Sequence, residues 1–493
     1  MKKKVLMVLA VVLVAALACG LLAGCADPRT DVFFGNGLMP VANKDGFFGY
    51  VDEDGNIVID CQYADASPFY GEYALATYNG EEYFAIDQKG KQVGDIKLSE
   101  FDWEVCEGTA IVPACDKITG LWGFFDLNTA AWAVAPIYDE TAVYGGVGRV
   151  YIGNLKGAID PVTGAELAPC EYQDCEYSIE NDLLTFYTQT EEGYEVTAIN
   201  TATKTVVTEK TACDNIFLTY DSYLIPYVIS TEDEDGAVTD TYYIAGIEYS
   251  VQYQNASGTG SEFNFNDNNI FGNVFMVSNH VQTDSGITTT YSLVAVYGGK
   301  ATVIAQDLPE SAVITEVGEY TDVYAITVPG QDGEQAVTTY FDGKTGAIIT
   351  LPVDENGDVV GEVARADDTV ALYCVTKTEM YSITSVAEDG SVSAAQTRLA
   401  DLDDGATVES VCGGYLVMSN ANTGENGVYD LSGNLVKAFA PGVSGGVMDG
   451  YIVEIEGFNY YCALYRPEDG KQIFDFSDEL ISEKAIELIE KIL

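Results

Sequence analysis

Few residues in this chain are suited to chemistry, and their spacing excludes several reactions. The 493-residue sequence holds one histidine, eleven cysteines and 77 acidic residues. His280 sits in Phe275-Met276-Val277-Ser278-Asn279-His280-Val281, where apolar and polar residues alternate as in a strand. A serine–histidine–aspartate relay would need that one histidine, and its strand position predicts a packed or surface imidazole instead. A His-Glu-x-x-His zinc site cannot form, and no Cys-x-x-Cys pair occurs. Paired carboxylates could cleave glycosidic bonds, but among 77 acids the sequence singles out no pair. Asp233-Glu234-Asp235-Gly236 begins like a calcium loop and lacks the closing glutamate of a twelve-residue one. No catalytic residue, metal ligand or cofactor is expected, and the chain is not expected to be an enzyme.

The N-terminus carries a different chemistry. Lys2, Lys3 and Lys4 precede an apolar run from Val5 to Leu22, broken only by Cys19 and Gly20. A positive start and an apolar core make an export signal, although about 18 apolar residues is also close to a membrane-spanning length. Leu22-Ala23-Gly24-Cys25 ends the run and resembles the bacterial lipobox. That resemblance implies diacylglyceryl transfer to the Cys25 thiol and cleavage before Cys25. Two acyl chains suffice for stable anchoring. Residues 1–24 are therefore read as a lipoprotein signal peptide, and 25–36 as the lipidated N-terminus and a short tether. The remainder is expected on the extracytoplasmic face of the cell membrane.

Nine cysteines follow Cys25: Cys61, Cys106, Cys115, Cys170, Cys175, Cys213, Cys374, Cys412 and Cys462. An odd number cannot all pair within one chain, so buried free thiols are the expectation. Cys106 and Cys115, close in sequence, are the best disulfide candidates. Cys61-Gln62-Tyr63 and Cys170-Glu171-Tyr172 occupy matching places, which marks Cys61 and Cys170 as packing positions.

Charge narrows the partners. The formal net charge is −54; residues 1–24 carry three of the 23 basic residues and no acid, leaving −57 afterwards. Nucleic acid requires clustered Lys and Arg, and none are clustered after residue 24, so nucleic acid is excluded as a partner. A hydrophobic content of 47% argues for a folded chain. The 33 tyrosines and 49 glycines suit strands and tight turns.

The elements that must position these residues recur. An Asp or Asn follows an apolar strand at 52, 87, 126, 160 and 200, in steps of 35, 39, 34 and 40 residues. Such a period marks a solenoid or propeller. Each unit reads as a strand, an Asp/Gly turn and a second strand, with Asp capping the turn and Gly supplying a positive φ. Trp122-Gly123-Phe124-Phe125-Asp126, followed by Ala135-Pro136-Ile137-Tyr138-Asp139, resembles the WG repeat of bacterial proteins. Phe48 replaces the tryptophan in the first unit, before Gln62-Tyr63-Ala64-Asp65, and Lys156 replaces it in the fourth. The resemblance covers about residues 38–175 and returns at Asn426-Gly427-Val428-Tyr429-Asp430-Leu431-Ser432-Gly433 within 426–440. It implies β-repeats on exported or anchored proteins and carries no catalytic residues.

Between 176 and 420 the pattern loosens but still alternates, as in Thr289-Thr290-Tyr291-Ser292-Leu293-Val294-Ala295-Val296. Asp342-Gly343-Lys344-Thr345-Gly346 resembles the Asp-x-x-Thr-Gly turn of quinoprotein-type propeller blades. The expected fold is all-β and propeller-like over 37–476, with an open solenoid or two propellers as alternatives, and room for roughly ten or eleven units. Ile481, Ala485, Leu488 and Ile492 at helical spacing predict a C-terminal capping helix over 477–493. The function expected is a membrane-anchored lipoprotein whose repeat domain binds or scaffolds a protein, peptide or glycan ligand. A carboxylate-dependent surface hydrolase of polysaccharide is the alternative.

Overall fold

In the computed structural model the structure describes residues 34–475, except for short internal stretches of which 218–225 and 352–358 are the longest. The lipobox with Cys25 and the C-terminal capping helix over 477–493 lie outside the described residues. What is described is strand and turn, with a single 3-10 turn at Ile179–Asn181. Nine antiparallel sheets follow one another along the described chain, seven of them with strands neighbouring in sequence order and four or fewer in number. The second sheet (65–138) has seven strands because Gln92–Phe101 pairs through its first half with Tyr83–Ile86 and through its second with Ile111–Asp116. The fifth (215–309) has nine. Each of these two merges a pair of units, so the described residues form eleven units.

The repeat motif is explained by two local demands. The first is a close approach. A Cβ on Gly49 would lie 2.4 Å from the Ile59 carbonyl oxygen; on Gly123, 2.5 Å from that of Val134; on Gly157, 2.7 Å from the Cys170 nitrogen; on Gly427, 2.2 Å from the Lys437 oxygen. At these places the outer strand bulges, as register shifts opposite Gly49 and Gly157 record, and only a residue without Cβ lets it cross. The second demand is the turn. Asp52 Oδ1 accepts the N–H groups of Asp54 and Asn56, and Gly55, at φ +83°, donates its N–H to the Asp52 carbonyl. Asp87, Asp233 and Asp430 do the same. A longer variant adds a threonine: Thr163 Oγ1 donates to Asp160, and Thr345 Oγ1 to Asp342. The same Asp-x-x-Thr-Gly spacing stands at Asp116–Gly120.

Packing runs from each sheet to the next. Tyr50 and Ile59 of the first sheet share a cluster with Ala76 and Phe84 of the second. Cys106 and Phe124 of the second meet Val150 and Ile159 of the third (140–172). Ala158 and Tyr172 of the third meet Leu184 and Phe186 of the fourth (174–213). Fully buried aromatics dominate, among them Tyr50, Tyr63, Tyr172 and Phe124, each stabilising by about 1.5–3 kcal/mol. Their hydroxyls are satisfied across units: Tyr63 donates to Gly90 O at 2.7 Å, and Tyr172 lies 2.6 Å from Thr197 Oγ1.

The array closes. Phe34, Met39, Val41 and Val51 pack with Val453, Leu464 and Ile473 of the ninth sheet (443–475). The Phe34 and Tyr451 rings are 5.3 Å apart. Arg466 and Lys471 reach Asp54 at 3.6 and 3.3 Å. An open solenoid would leave its two end sheets uncovered; here first covers last. The fold is all-β and propeller-like.

One expectation is overturned. Cys106 and Cys115 form no disulfide: both are free, buried thiols. Cys106 faces the third sheet and points its Sγ at Gly146 O, 3.3 Å away, while Cys115 sits beside Ser99 in the neighbouring strand. Short sequence separation does not bring them together: the Cys106 N–H donates to Ile111 O at the start of the Ile111–Asp116 strand, and Cys115 lies near the far end of that strand. Cys61 and Cys170 are equivalent in space as in sequence, directing Sγ at the Val41 and Val150 carbonyls.

Candidate functional site

His280 lies in the Val274–Thr283 strand, with Nδ1 3.0 Å from Thr289 Oγ1 and Nε2 3.3 Å from Glu262 Oε1. It is a cross-strand surface group. Asp233 is a turn residue, as are Asp52 and its counterparts. Among the described residues no three His, Cys, Asp or Glu side chains are grouped to hold a metal. Gly442-Val443-Ser444-Gly445-Gly446 has the Gly-x-Ser-x-Gly spacing of a hydrolase elbow. Ser444, however, is paired opposite Ile455 inside the Val443–Met448 strand, not on a strand-to-helix turn. Among the described residues no helix is long and apolar enough to cross a membrane.

A concavity lies elsewhere, where the fourth sheet meets the start of the fifth. Gln173, Asp174, Tyr187, Gln189, Tyr194 and Ile216 line an open crevice of about 270 Å³. Three strands set it up. Asp174 begins the Asp174–Ser178 strand and pairs opposite Tyr187. Gln189 and Tyr194 face each other at the end of the next hairpin, whose turn is closed by Thr190 N–H to Gly193 O at 2.8 Å. Ile216, Cys213 and Tyr227 form a small apolar cluster on which the half-buried Tyr187 and Tyr194 rest. Tyr227 and Tyr243 stack beneath at 4.7 Å.

The electrostatics are nearly balanced. Burial disfavours the Asp174 charge, but the Lys156 ammonium and the Cys175 N–H outweigh it and hold the carboxyl below its usual range. The Tyr187 hydroxyl is pushed up to about 12 by burial and by the Asp174 and Glu176 charges, so it stays protonated and donates to Asp174. Gln173 Oε1 accepts the Gln189 N–H at 3.3 Å. Beside the crevice the Arg149 guanidinium lies 4.9 and 4.8 Å from the Tyr144 and Tyr151 ring centres, and Arg149 Nη1 donates to Tyr144 Oη at 2.6 Å. Burial pushes the adjacent Cys175 thiol up, which makes it a poor nucleophile. Nothing in the sequence separates this crevice from the other tyrosine-bearing hairpins; only the Gln173/Gln189 pair, sixteen residues apart, could have drawn attention to it.

Residues 48–81 match the WG containing repeat family. This stretch carries a WG-containing repeat. The matched stretch spans the outer strands of the first unit and the inner strands of the second, with Gly49, Asp52 and Tyr63 in the places described above. No curated protein matches the chain. Among solved structures, it is similar to the β-propeller domain of the Trilobed protease from Pyrococcus furiosus, at 10% identity and a TM-score of 0.21, over 85% of this chain and 97% of that one. A eukaryotic initiation factor is similar at 10% identity and a TM-score of 0.26, over 80% and 94%. The extracellular domain of a one-component system from B. thetaiotaomicron is similar at 8% identity and 0.19, over 93% and 68%. At these scores the fold of this chain rests on its own sheets and their closure.

Proposed function

We propose that this WG-repeat protein is an extracytoplasmic lipoprotein, tethered through Cys25, whose closed array of sheets presents a binding or scaffold surface. The observation that carries the reading is the open crevice of tyrosine and glutamine side chains between the fourth and fifth sheets. Its one lining carboxylate, Asp174, is tied to Lys156. A hydrolase of glycosidic bonds would need two carboxylates roughly 5–10 Å apart flanking the bond. A shallow aromatic–amide face suits recognition.

Two experiments test it. In the native host, Cys25→Ala should move the protein out of the membrane fraction and remove incorporated fatty-acid label; membrane retention with label intact refutes the tether. The detergent-purified full-length chain, incubated with native cell-surface extract, should retain a component that the Gln189→Ala/Tyr194→Ala double variant loses. Retention unaltered by that variant, or no retention, refutes the binding site.

A further inference from the structure

We propose that the crevice is a subsite for one uncharged sugar ring of an oligo- or polysaccharide, a proposal that rests on the binding-module reading above. The floor is apolar and fixed. Ile216 is buried, and Tyr187 and Tyr194 are held against it by strand pairing on both sides. A pyranose has an apolar C–H face, and the electron-rich face of a tyrosine ring is its natural complement. The rim is polar and available. Gln173 and Gln189 are exposed. Gln173 uses its carbonyl oxygen within the hairpin and keeps its amide N–H groups, while the Gln189 carboxamide and the Tyr194 hydroxyl have no partner among the described residues. A carboxamide offers a donor and an acceptor side by side. Neighbouring ring hydroxyls, each able to donate and accept, match that pair.

Charge selects against the other ligand classes. Anions meet a chain of net charge −54 and are repelled. Cations find the one carboxylate in the crevice occupied by Lys156 and by the Tyr187 hydroxyl. Uncharged hydroxyl-rich groups remain. A volume of about 270 Å³ lies just under the roughly 300–1,000 Å³ of sites for larger ligands, which fits one ring, and the open side lets a longer chain run on to solvent.

The test uses the full-length chain in detergent on an array holding uncharged oligosaccharides of gluco, galacto and manno configuration beside sialylated and sulfated ones. Uncharged members should be retained and charged ones not. Against the retained oligosaccharide, Tyr194→Ala should weaken binding by about tenfold or more, and Tyr194→Phe, which keeps the ring, by no more than about threefold. Gln189→Ala, at an exposed rim position, should weaken it several-fold. Retention of charged glycans only, no retention of any glycan, or equal affinity in all three variants overturns the sugar proposal. The surface-extract experiment tells these results apart from failure of the binding reading itself. If the surface-extract experiment still yields a component lost in the double variant, the module binds something other than sugar; if it yields none, both readings fall.

Discussion

The third sheet and the outer half of the fifth are built from the same antiparallel hairpins but use their side chains in opposite ways. In the third, Val150 and Ile159 turn toward the second sheet while Val147, Ala158 and Ala168 turn toward the fourth. Both faces are covered, and the strand rows leave no room: hence Gly157 under the bulged Cys170 backbone and Asp160 closing the turn. In the fifth sheet, Phe275, Val277, Val294 and Val296 are buried, but the strands continue past the covered zone to a hairpin tip at Thr283–Gly286. There Val281 and Ile287 are 54% and 48% exposed. The polar side chains bond to one another across the sheet, Ser261 to Asn279 and Asn279 to Ser292. The close-approach glycine of the motif thus marks where a sheet has two neighbours. It is a packing signature and carries no chemistry, which is why the candidate site lies between motifs.

The sharpest way to break this comparison is one small side-chain change in each region. Gly157→Ala must displace backbone on a covered sheet and should cost about 2–3 kcal/mol, read as a lowered urea midpoint with the slope unchanged. Thr289→Ala on the exposed hairpin should stay within about 0.5 kcal/mol. Equal losses would mean that the motif glycines are not set by close approach.

Asp65 gives the next largest effect and a pH signature. It is 1% exposed, with Oδ2 accepting from Tyr83 and Oδ1 from the Ala66 N–H. Burial pushes its carboxyl up to about 6 from 3.8. A raised folded value means that the folded state holds the proton more tightly, so this group's contribution to stability is complete below about 4 and lost as pH rises through about 6. The difference amounts to roughly 2–3 kcal/mol. Asp65→Asn should therefore gain on the parent between pH 4 and 7, with little difference at pH 4. Parallel stability curves for the two proteins across that window would contradict the burial argument.

Most of the architecture was legible in the sequence because turns and bulges are local: an Asp with a Gly three or four residues on is decided within five residues. The 34–40-residue steps, the Cys61/Cys170 equivalence and the unit number follow from that regularity. Closure was not legible. Phe34 and Asp54 meet Tyr451 and Lys471 about 400 residues away, and nothing local records it. The crevice was hidden for the same reason, since Gln173, Tyr194 and Ile216 are brought together by three different strands. The Cys106–Cys115 pairing failed because Cys106 is bonded at Ile111 and the extended strand from there to Cys115 spans about 13 Å, beyond disulfide reach.

Turns sharpen the comparison further at smaller scale. Asp160 accepts from Val162 N–H and Thr163 Oγ1 and also takes Lys204 of the next sheet at 3.0 Å. Asp233 closes an exposed hairpin tip alone. Asp160→Ala should cost about 1–1.5 kcal/mol and Asp233→Ala at most about 0.5, measured by thermal melts at one pH. A reversed order would place structural weight on the protruding hairpins.

The smallest effect tests the seam where the two ends of the array meet. Arg466 and Lys471 both approach Asp54, yet the acid is 67% exposed and the cations 35% and 50%. Water and salt screen such a cluster, and exposed pairs contribute about 0.2–1 kcal/mol. The apolar contacts of Phe34, Val41, Val51, Val453 and Leu464 must then carry closure. Asp54→Asn should lower stability by no more than about 0.5 kcal/mol in low salt. That difference should vanish in about 0.5 M sodium chloride, where the Debye length falls to roughly 4–5 Å. Phe34→Ala, by contrast, should cost about 3 kcal/mol and keep that cost in salt. It should also raise hydrogen exchange in Leu38–Ala42 and Tyr451–Glu456 ahead of every interior sheet. If Asp54→Asn is the more damaging change, or if its cost survives in salt, the ring is held shut by ions and the apolar seam is incidental.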